Sequence, residues 1–312
     1  MNAVVAHEYG GPEVLKYGKA PVPEPKPNEI LVRVIASGVN PADPLIISGK
    51  YAEQFGTHLP LIPGYDVAGI VERTGGQITQ LKRGDAVYGY ALFGGGWAEY
   101  ALLSDAEAAT KPESLSFIDA AAVPLAALTA WQALIDAAQV QPGQTVLIHG
   151  GSGGVGHFGI QIAKTRGARV IATASTRNQD LLRQLGADVA IDYTQTKFED
   201  VAHDVDVVLD TVGGETLARS CRCVKKGGFI ASIRGRVAPE TLEKYGIRGA
   251  AIAVKPDARE LAEISRMIEE KKLHPVVSEV LPLSDAAKAA AQAETHHTRG
   301  KIVLKIAEEP SS

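Results

Sequence analysis

The chain has 312 residues, 45% hydrophobic, 22% charged and 5% aromatic, which is enough apolar material for two cores and too long for a disulfide-stapled scaffold. Its 32 basic and 36 acidic residues give a formal charge of −4 with no long basic block, which argues against nucleic acid as a main partner. Two lone cysteines, Cys221 and Cys223, no signal pattern in residues 1–7 and no unbroken apolar span predict a soluble cytoplasmic protein away from membranes.

Up to about residue 120 short apolar runs alternate with turn residues, and strands are predicted over 30–36, 67–73, 86–90 and 98–103. This part reads as all-β. Pro21, Pro23, Pro25 and Pro27 predict an extended connector whose spacing of two contains no PxxP ligand. From about residue 116 the texture changes to a helix over 120–138, a strand over 145–149, a helix over 155–165 and a strand over 169–174. Further strands are expected at 205–210, 229–233 and 250–254. Strands separated by helices of this length are the βαβ units of a parallel sheet. After Lys255 come a helix to about 271, a strand over 276–281, a helix over 285–294, a strand over 301–306 and a frayed tail past Ala307.

Within the second texture, Gly151, Ser152, Gly153, Gly154, Val155 and Gly156 supply a GxGxxG loop between a predicted strand and a predicted helix. That context distinguishes a dinucleotide site from a plain glycine-rich turn: the backbone must turn tightly and let a pyrophosphate approach a helix N-terminus, where unpaired N–H groups favour an anion. At the end of the next strand, a carboxylate would bind the adenosine ribose and repel a 2′-phosphate. The residues there are Ala174, Ser175, Thr176 and Arg177, with no acid before Asp180. Two hydroxyls and a guanidinium suit a phosphate, so NADPH is the expected cofactor; the competing reading of Arg177 is an exposed loop charge.

A series of further motifs runs in order along nearly the whole chain. They are Gly38-Val39-Asn40-Pro41-Ala42-Asp43, Pro63-Gly64-Tyr65-Asp66-Val67-Ala68-Gly69, Gly84-Asp85-Ala86-Val87-Tyr88-Gly89, Leu128-Thr129-Ala130-Trp131, Asp210-Thr211-Val212-Gly213-Gly214 and Arg299-Gly300-Lys301-Ile302-Val303-Leu304. With the glycine loop they make the chain resemble the zinc-independent quinone oxidoreductases, the zeta-crystallin-like group of the medium-chain dehydrogenase/reductase superfamily. The resemblance implies an α/β protein in which a Rossmann dinucleotide-binding domain is inserted in a GroES-like β-rich catalytic domain. The expected boundaries are 1–119 and 256–312 for the catalytic domain and 120–255 for the NADPH-binding domain.

The resemblance also implies roles. Asn40, Tyr51 and Asp43 are expected near the nicotinamide, Asn40 and Tyr51 as hydrogen-bond donors to a substrate oxygen and Asp43 as an anchor of the loop or the ribose. The structural alternatives are a turn former at Asn40, a loop cap at Asp43 and a packed ring at Tyr51. On the cofactor side, Thr129 and the pair Val212 and Gly213 are expected at the nicotinamide and Tyr193 near the adenosine phosphate. Thr129 could instead bond its own helix backbone, and Tyr193 could be core packing. Where the zinc alcohol dehydrogenases of the superfamily carry Cys and a His-Glu pair, this sequence has Asn40, and Tyr65 followed by Asp66, so no metal is expected. Without a Lewis acid, activated acceptors are favoured. The expected reaction is hydride transfer from NADPH to a quinone; the alternatives are reduction of the C=C bond of a 2-alkenal or enone and a non-enzymatic NADPH-binding protein. The apolar segment 247–254, read as the last strand of its sheet, predicts pairing across a twofold axis in a homodimer, as in relatives.

Overall fold

The computed structural model describes residues 1–50, 52, 56, 58–295 and 297–309. The chain divides into two units. One comprises residues 1–125, 255–271 and 275–312, and the other residues 126–254 and 272–274.

The first unit is built on a seven-stranded sheet and a two-stranded ribbon. β1 (Asn2–Ala6) and β2 (Leu15–Lys19) form the antiparallel ribbon. Neither strand was marked by the sequence pattern. In the larger sheet β3 (Glu29–Val39) pairs along one edge with β4 (Asp66–Thr74), which continues to β5 (Ala86–Tyr90) and β7 (Ala108–Thr110). The first half of β3 takes β6 (Tyr100–Ser104) on its other edge, and the second half takes β15 (Lys301–Lys305), which in turn carries β14 (Val277–Pro282). The C-terminal strand is therefore internal to a sheet begun near the N-terminus. β3 is buried at nine of its eleven positions, which is why it reads as an apolar run interrupted by Arg33 rather than as an alternating one. Trp97, Ile47, Leu304 and Leu281 share one core cluster with the buried alanines of the helix Ala286–Glu294.

The helix Ala258–Glu269 shows the local logic of the returning segment. Asp257 accepts hydrogen bonds from the N–H groups of Arg259 and Glu260 and so caps the first turn, and Leu261, Ile264, Met267 and Ile268 form its buried stripe. The expected frayed tail is partly tied down: Glu309 accepts from the Phe117 N–H at 3.0 Å, and Lys305 pairs with Glu308.

The second unit is a six-stranded parallel sheet. Its strands are β8 (Thr145–Ile148), β9 (Arg169–Ala174), β10 (Val189–Asp192), β11 (Val205–Asp210), β12 (Val224–Ser232) and β13 (Arg248–Ala251), in the spatial order β10-β9-β8-β11-β12-β13. This is the doubly wound order, which reverses direction between β8 and β11 and leaves a ligand crevice beyond the strand ends there. Leu147, Ile171, Val208 and Ile230 form its core with Cys221 and Cys223, which are free and buried. β13 begins two residues before the expected strand and ends three before it.

The helix expected over 120–138 is three pieces: Phe117–Ala121, Pro124–Trp131 and a π-helical stretch Gln132–Ala137. Pro124 has no N–H to donate and its ring crowds the carbonyl one turn back, so the first helix stops before it. No helix of the described residues is long and apolar enough to cross a membrane.

Leu304 is fully buried on β15, so Leu304→Ala should destabilise the first unit by about 2–5 kcal/mol in urea unfolding. An unchanged unfolding midpoint would refute the placement of this strand inside the sheet.

Candidate active site

The predicted residues fall into two clusters, one in each unit. In the second unit β8 ends at Ile148 and the glycine loop leads directly into the helix Gly156–Thr165. Gly150 has φ +66°, and a Cβ on Gly156 would lie 2.2 Å from the Gly150 carbonyl oxygen, so the turn closes only with glycine. A Cβ on Gly151 would meet Leu182 at 2.9 Å and Ala172 at 3.0 Å. No side chain caps the helix at Val155, and a helix N-terminus that follows a loop such as Ser152, Gly153 and Gly154 favours an anion. His149 braces the strand end from below. Its ring nitrogens lie 3.2 Å from Thr173 Oγ1 and 2.9 Å from Ser220 Oγ, and burial pushes its pKa down to about 4.

Beside the loop, buried Asp210 ends β11 and accepts from the N–H groups of Val212 and Gly213 and from Ser232 Oγ. These bonds hold Gly213 at φ +81° and leave the Val212 side chain 50% exposed. Thr129 is buried in its helix. At the end of β9, Ser175 leads into an exposed turn containing Thr176 and Arg177. Tyr193 is 55% exposed, which removes the core-packing alternative for that ring.

One residue at this edge escaped the sequence reading. Register pairing sets Asp192 of β10 opposite Ala174, and its carboxylate accepts from Thr176 Oγ1 at 2.6 Å and from the N–H and hydroxyl of Thr194. The absence of an acid from residues 174–177 is thus a local fact: the neighbouring strand brings one. Those three hydrogen bonds satisfy much of its accepting capacity and hold its pKa below the usual carboxylate value.

In the first unit, Asn40, Asp43, Asp66 and Lys301 are all buried. Asp43, in the short helix Ala42–Ile47, accepts from the Asn40 N–H at 2.6 Å and the Gly64 N–H at 3.0 Å, an arrangement in which it anchors two loops. Burial, the largest influence, raises its pKa from 3.8 to about 7. Asn40 Nδ2 donates to Asp66 Oδ2 at 2.9 Å, and its Oδ1 accepts from Lys301 Nζ. Lys301 Nζ also donates to Asp66 Oδ2 at 2.9 Å, while Asp66 Oδ1 accepts from the Leu125 N–H. Gly38 makes room for this: a Cβ there would fall 2.6 Å from Asp66 Oδ2. Tyr65 packs edge-on against Tyr90, and burial raises its pKa. Tyr51 lies outside the described residues.

The positions that carry zinc ligands in the zinc dehydrogenases therefore do not fit a divalent cation. Asp66 Oδ2 already binds an ammonium, Asn40 presents an amide, and the Tyr65 phenol is held protonated by burial. Among the described residues no three His, Cys, Asp or Glu side chains gather as a metal set.

Two family models match: an alcohol dehydrogenase GroES-like domain over residues 26–113 and a zinc-binding dehydrogenase over residues 185–304. The chain is 38% identical over 317 residues to an NADPH-dependent alkenal/one oxidoreductase of Arabidopsis thaliana, covering 97% of this chain and 79% of that protein. It is 35% identical over 326 residues to the quinone oxidoreductase of Sus scrofa, covering 98% of each. The solved quinone oxidoreductase of Coxiella burnetii superposes with a TM-score of 0.91 at 37% identity, covering 98% of this chain and 99% of that one. Fold, cradle and sequence define a GroES-like dehydrogenase, and the chain belongs to the quinone oxidoreductase group of the medium-chain dehydrogenase/reductase superfamily.

The raised pKa of Asp43 carries a sign. Its protonated form is favoured by the fold, so its contribution to stability is fully present below about pH 3.8 and is lost as pH rises towards about 7. Comparing Asp43→Asn with the unsubstituted protein by urea unfolding should show the native chain losing stability relative to the variant across that window. Parallel pH profiles would refute the shift.

Proposed function

We propose that the protein is an NADPH-dependent reductase that transfers hydride to a quinone without a metal. The observation that carries this reading is the Asn40–Asp66–Lys301 network, which puts a fixed cation and an amide at the positions of metal ligands. A carbonyl that needs a Lewis acid has none there, whereas a quinone is already activated by conjugation. The glycine cradle, which an added Cβ at Gly156 would close, fits a pyrophosphate. Bound NADPH would supply the hydride from C4 of its nicotinamide, and the acceptor would take up one further proton to become the hydroquinone.

The chain's own residues have separable tasks in this reading. Gly151 to Gly156 hold the pyrophosphate, and Asp210 holds Val212 and Gly213 in the shape that receives the nicotinamide. Thr129 borders that ring. Ser175, Thr176, Arg177 and Tyr193 form the adenosine edge, with Arg177 and Tyr193 exposed to meet the 2′-phosphate. Asn40 retains one Nδ2 hydrogen without a partner among the described residues, and this is the donor offered to the acceptor oxygen. Tyr51 is proposed as a second donor. Reduction of the C=C bond of an enone is the second reading, favoured by the 38% identity to the alkenal/one oxidoreductase.

The outer edge of β13 carries no partner strand among the described residues, and we assign it to a homodimer contact. Free, buried Cys221 and Cys223 suit a reducing cytoplasm.

Fluorescence titration should show NADPH binding at least about tenfold tighter than NADH, since one charge-assisted phosphate contact is worth about 1.4 kcal/mol or more. Arg177→Ala should erode that preference; equal dissociation constants in the unsubstituted protein would overturn it. Steady-state NADPH oxidation with a panel of quinones and 2-alkenals should favour the quinones, and tight NADPH binding with no turnover of any acceptor would establish a non-enzymatic binding protein. Light scattering at micromolar concentration should give twice the chain mass, and a monomer mass would eliminate the β13 contact.

A further inference from the structure

Lys301 was part of a recognised motif but had no role in it beyond opening a strand. The structure gives it one. Its side chain is 3% exposed, and Nζ meets two acceptors that are themselves buried, Asp66 Oδ2 and Asn40 Oδ1. An ammonium has three hydrogens to donate and no lone pair. Of the two ends of the Asn40 carboxamide, only the oxygen can face it, and the nitrogen is left to Asp66.

The same two contacts remove the freedom of Asn40 to turn over. A flipped amide would set its NH2 against the ammonium and its oxygen against the carboxylate, two repulsive contacts in a buried space. The backbone N–H of Asn40 is fixed separately by Asp43 Oδ2. Main chain and side chain are thus held by different groups, and the remaining Nδ2 hydrogen can take only one direction. The ammonium on Oδ1 also draws electron density from the amide, which strengthens Nδ2–H as a donor.

We propose that Lys301 is the positioning residue of the reductase reaction: it fixes and polarises the Asn40 carboxamide, standing in charge where metal-dependent relatives have a cation. The proposal rests on the reductase reading for its kinetic consequence, but the wiring of Asn40 is testable without turnover.

Lys301→Met alone would leave Asp66 buried and unpaired, and loss of folding there would decide nothing. The informative variant is Lys301→Met with Asp66→Asn, which removes both charges together. Two measurements are made on the full-length protein. First, the chain has only four asparagines, Asn2, Asn28, Asn40 and Asn178, so [15N]asparagine labelling gives an assignable side-chain spectrum, with Asn40→Ala identifying its pair of signals. The unsubstituted protein should show the Asn40 Nδ2 protons as a resolved pair protected from solvent exchange, and the double variant should lose that protection. Second, the double variant should bind NADPH within about twofold of the native affinity, because the cradle is built in the other unit, yet turn over a quinone about 10-fold to 100-fold more slowly. Adding Asn40→Ala to it should cost little more, since Lys301 acts through Asn40.

Protection retained in the double variant, native turnover in it, or a full additional loss on adding Asn40→Ala would each overturn the proposal. A purely structural Lys301 would lower the unfolding midpoint and leave kcat unchanged. Absence of turnover in the unsubstituted enzyme would overturn the reductase reading instead, while the amide spectrum would still decide the wiring.

Discussion

The buried ion pair between Lys301 and Asp66 links the last strand of the chain to the strand that follows the Asn40 loop. Two charges taken out of water gain from each other only if the geometry is tight and the remaining lone pairs and hydrogens are satisfied. Asp66 meets that condition with three donors, Lys301, Asn40 and the Leu125 N–H. Each demands a fixed backbone behind it: β15 for the ammonium, the end of β3 for the amide, the start of the helix Pro124–Trp131 for the N–H. Gly38 is bound by the same demand, because a side chain there would occupy the space of the carboxylate. Buried pairs of this kind are often no more stabilising than an apolar filling; what this one does is tie three separate segments to a single carboxylate.

The cofactor unit depends on a different constraint, close approach of backbone to backbone. Gly150, Gly151 and Gly156 leave no volume for a Cβ, and Asp210 arrests the opposite loop with three N–H···O contacts to two residues. Neither device needs a charged side chain pointing at the ligand. In the proposed reading backbone dipoles receive the pyrophosphate, and discrimination between cofactors falls to the edge that carries Arg177, Tyr193 and Asp192.

Local chemistry made much of this legible in the sequence. The glycine loop was readable because its spacing is dictated by the turn it makes. The parallel sheet followed from alternating helix and strand patterns, and β3 from an apolar run interrupted by Arg33. What escaped depended on contacts between distant residues. Asp192 looked remote from Thr176 until β10 paired with β9, and the four-residue β10 was too short to stand out. Lys301 lies 261 positions from Asn40, and in a strand with a lysine at either end of an apolar centre it reads as a solvated end. The break at Pro124 was locally visible, yet the apolar run around it suggested one helix. Asn40 was picked out as a donor, but its partners could not be read from its neighbours.

The internal position of β15 has a consequence for how the protein is made. β3 leaves the ribosome well before β15, and among the described residues the second half of one β3 edge pairs with β15 alone. At about 5–20 residues per second, an edge of β3 waits roughly ten to fifty seconds for its partner. Most of the nucleotide unit, residues 126–254, is continuous and can collapse during that interval. The cell therefore handles a nascent chain with a collapsed nucleotide unit and one open strand edge, the kind of surface that recruits other strands. When β15 arrives it acts as the molecule's own chaperone, closing that edge and delivering the ammonium to Asp66 in the same step.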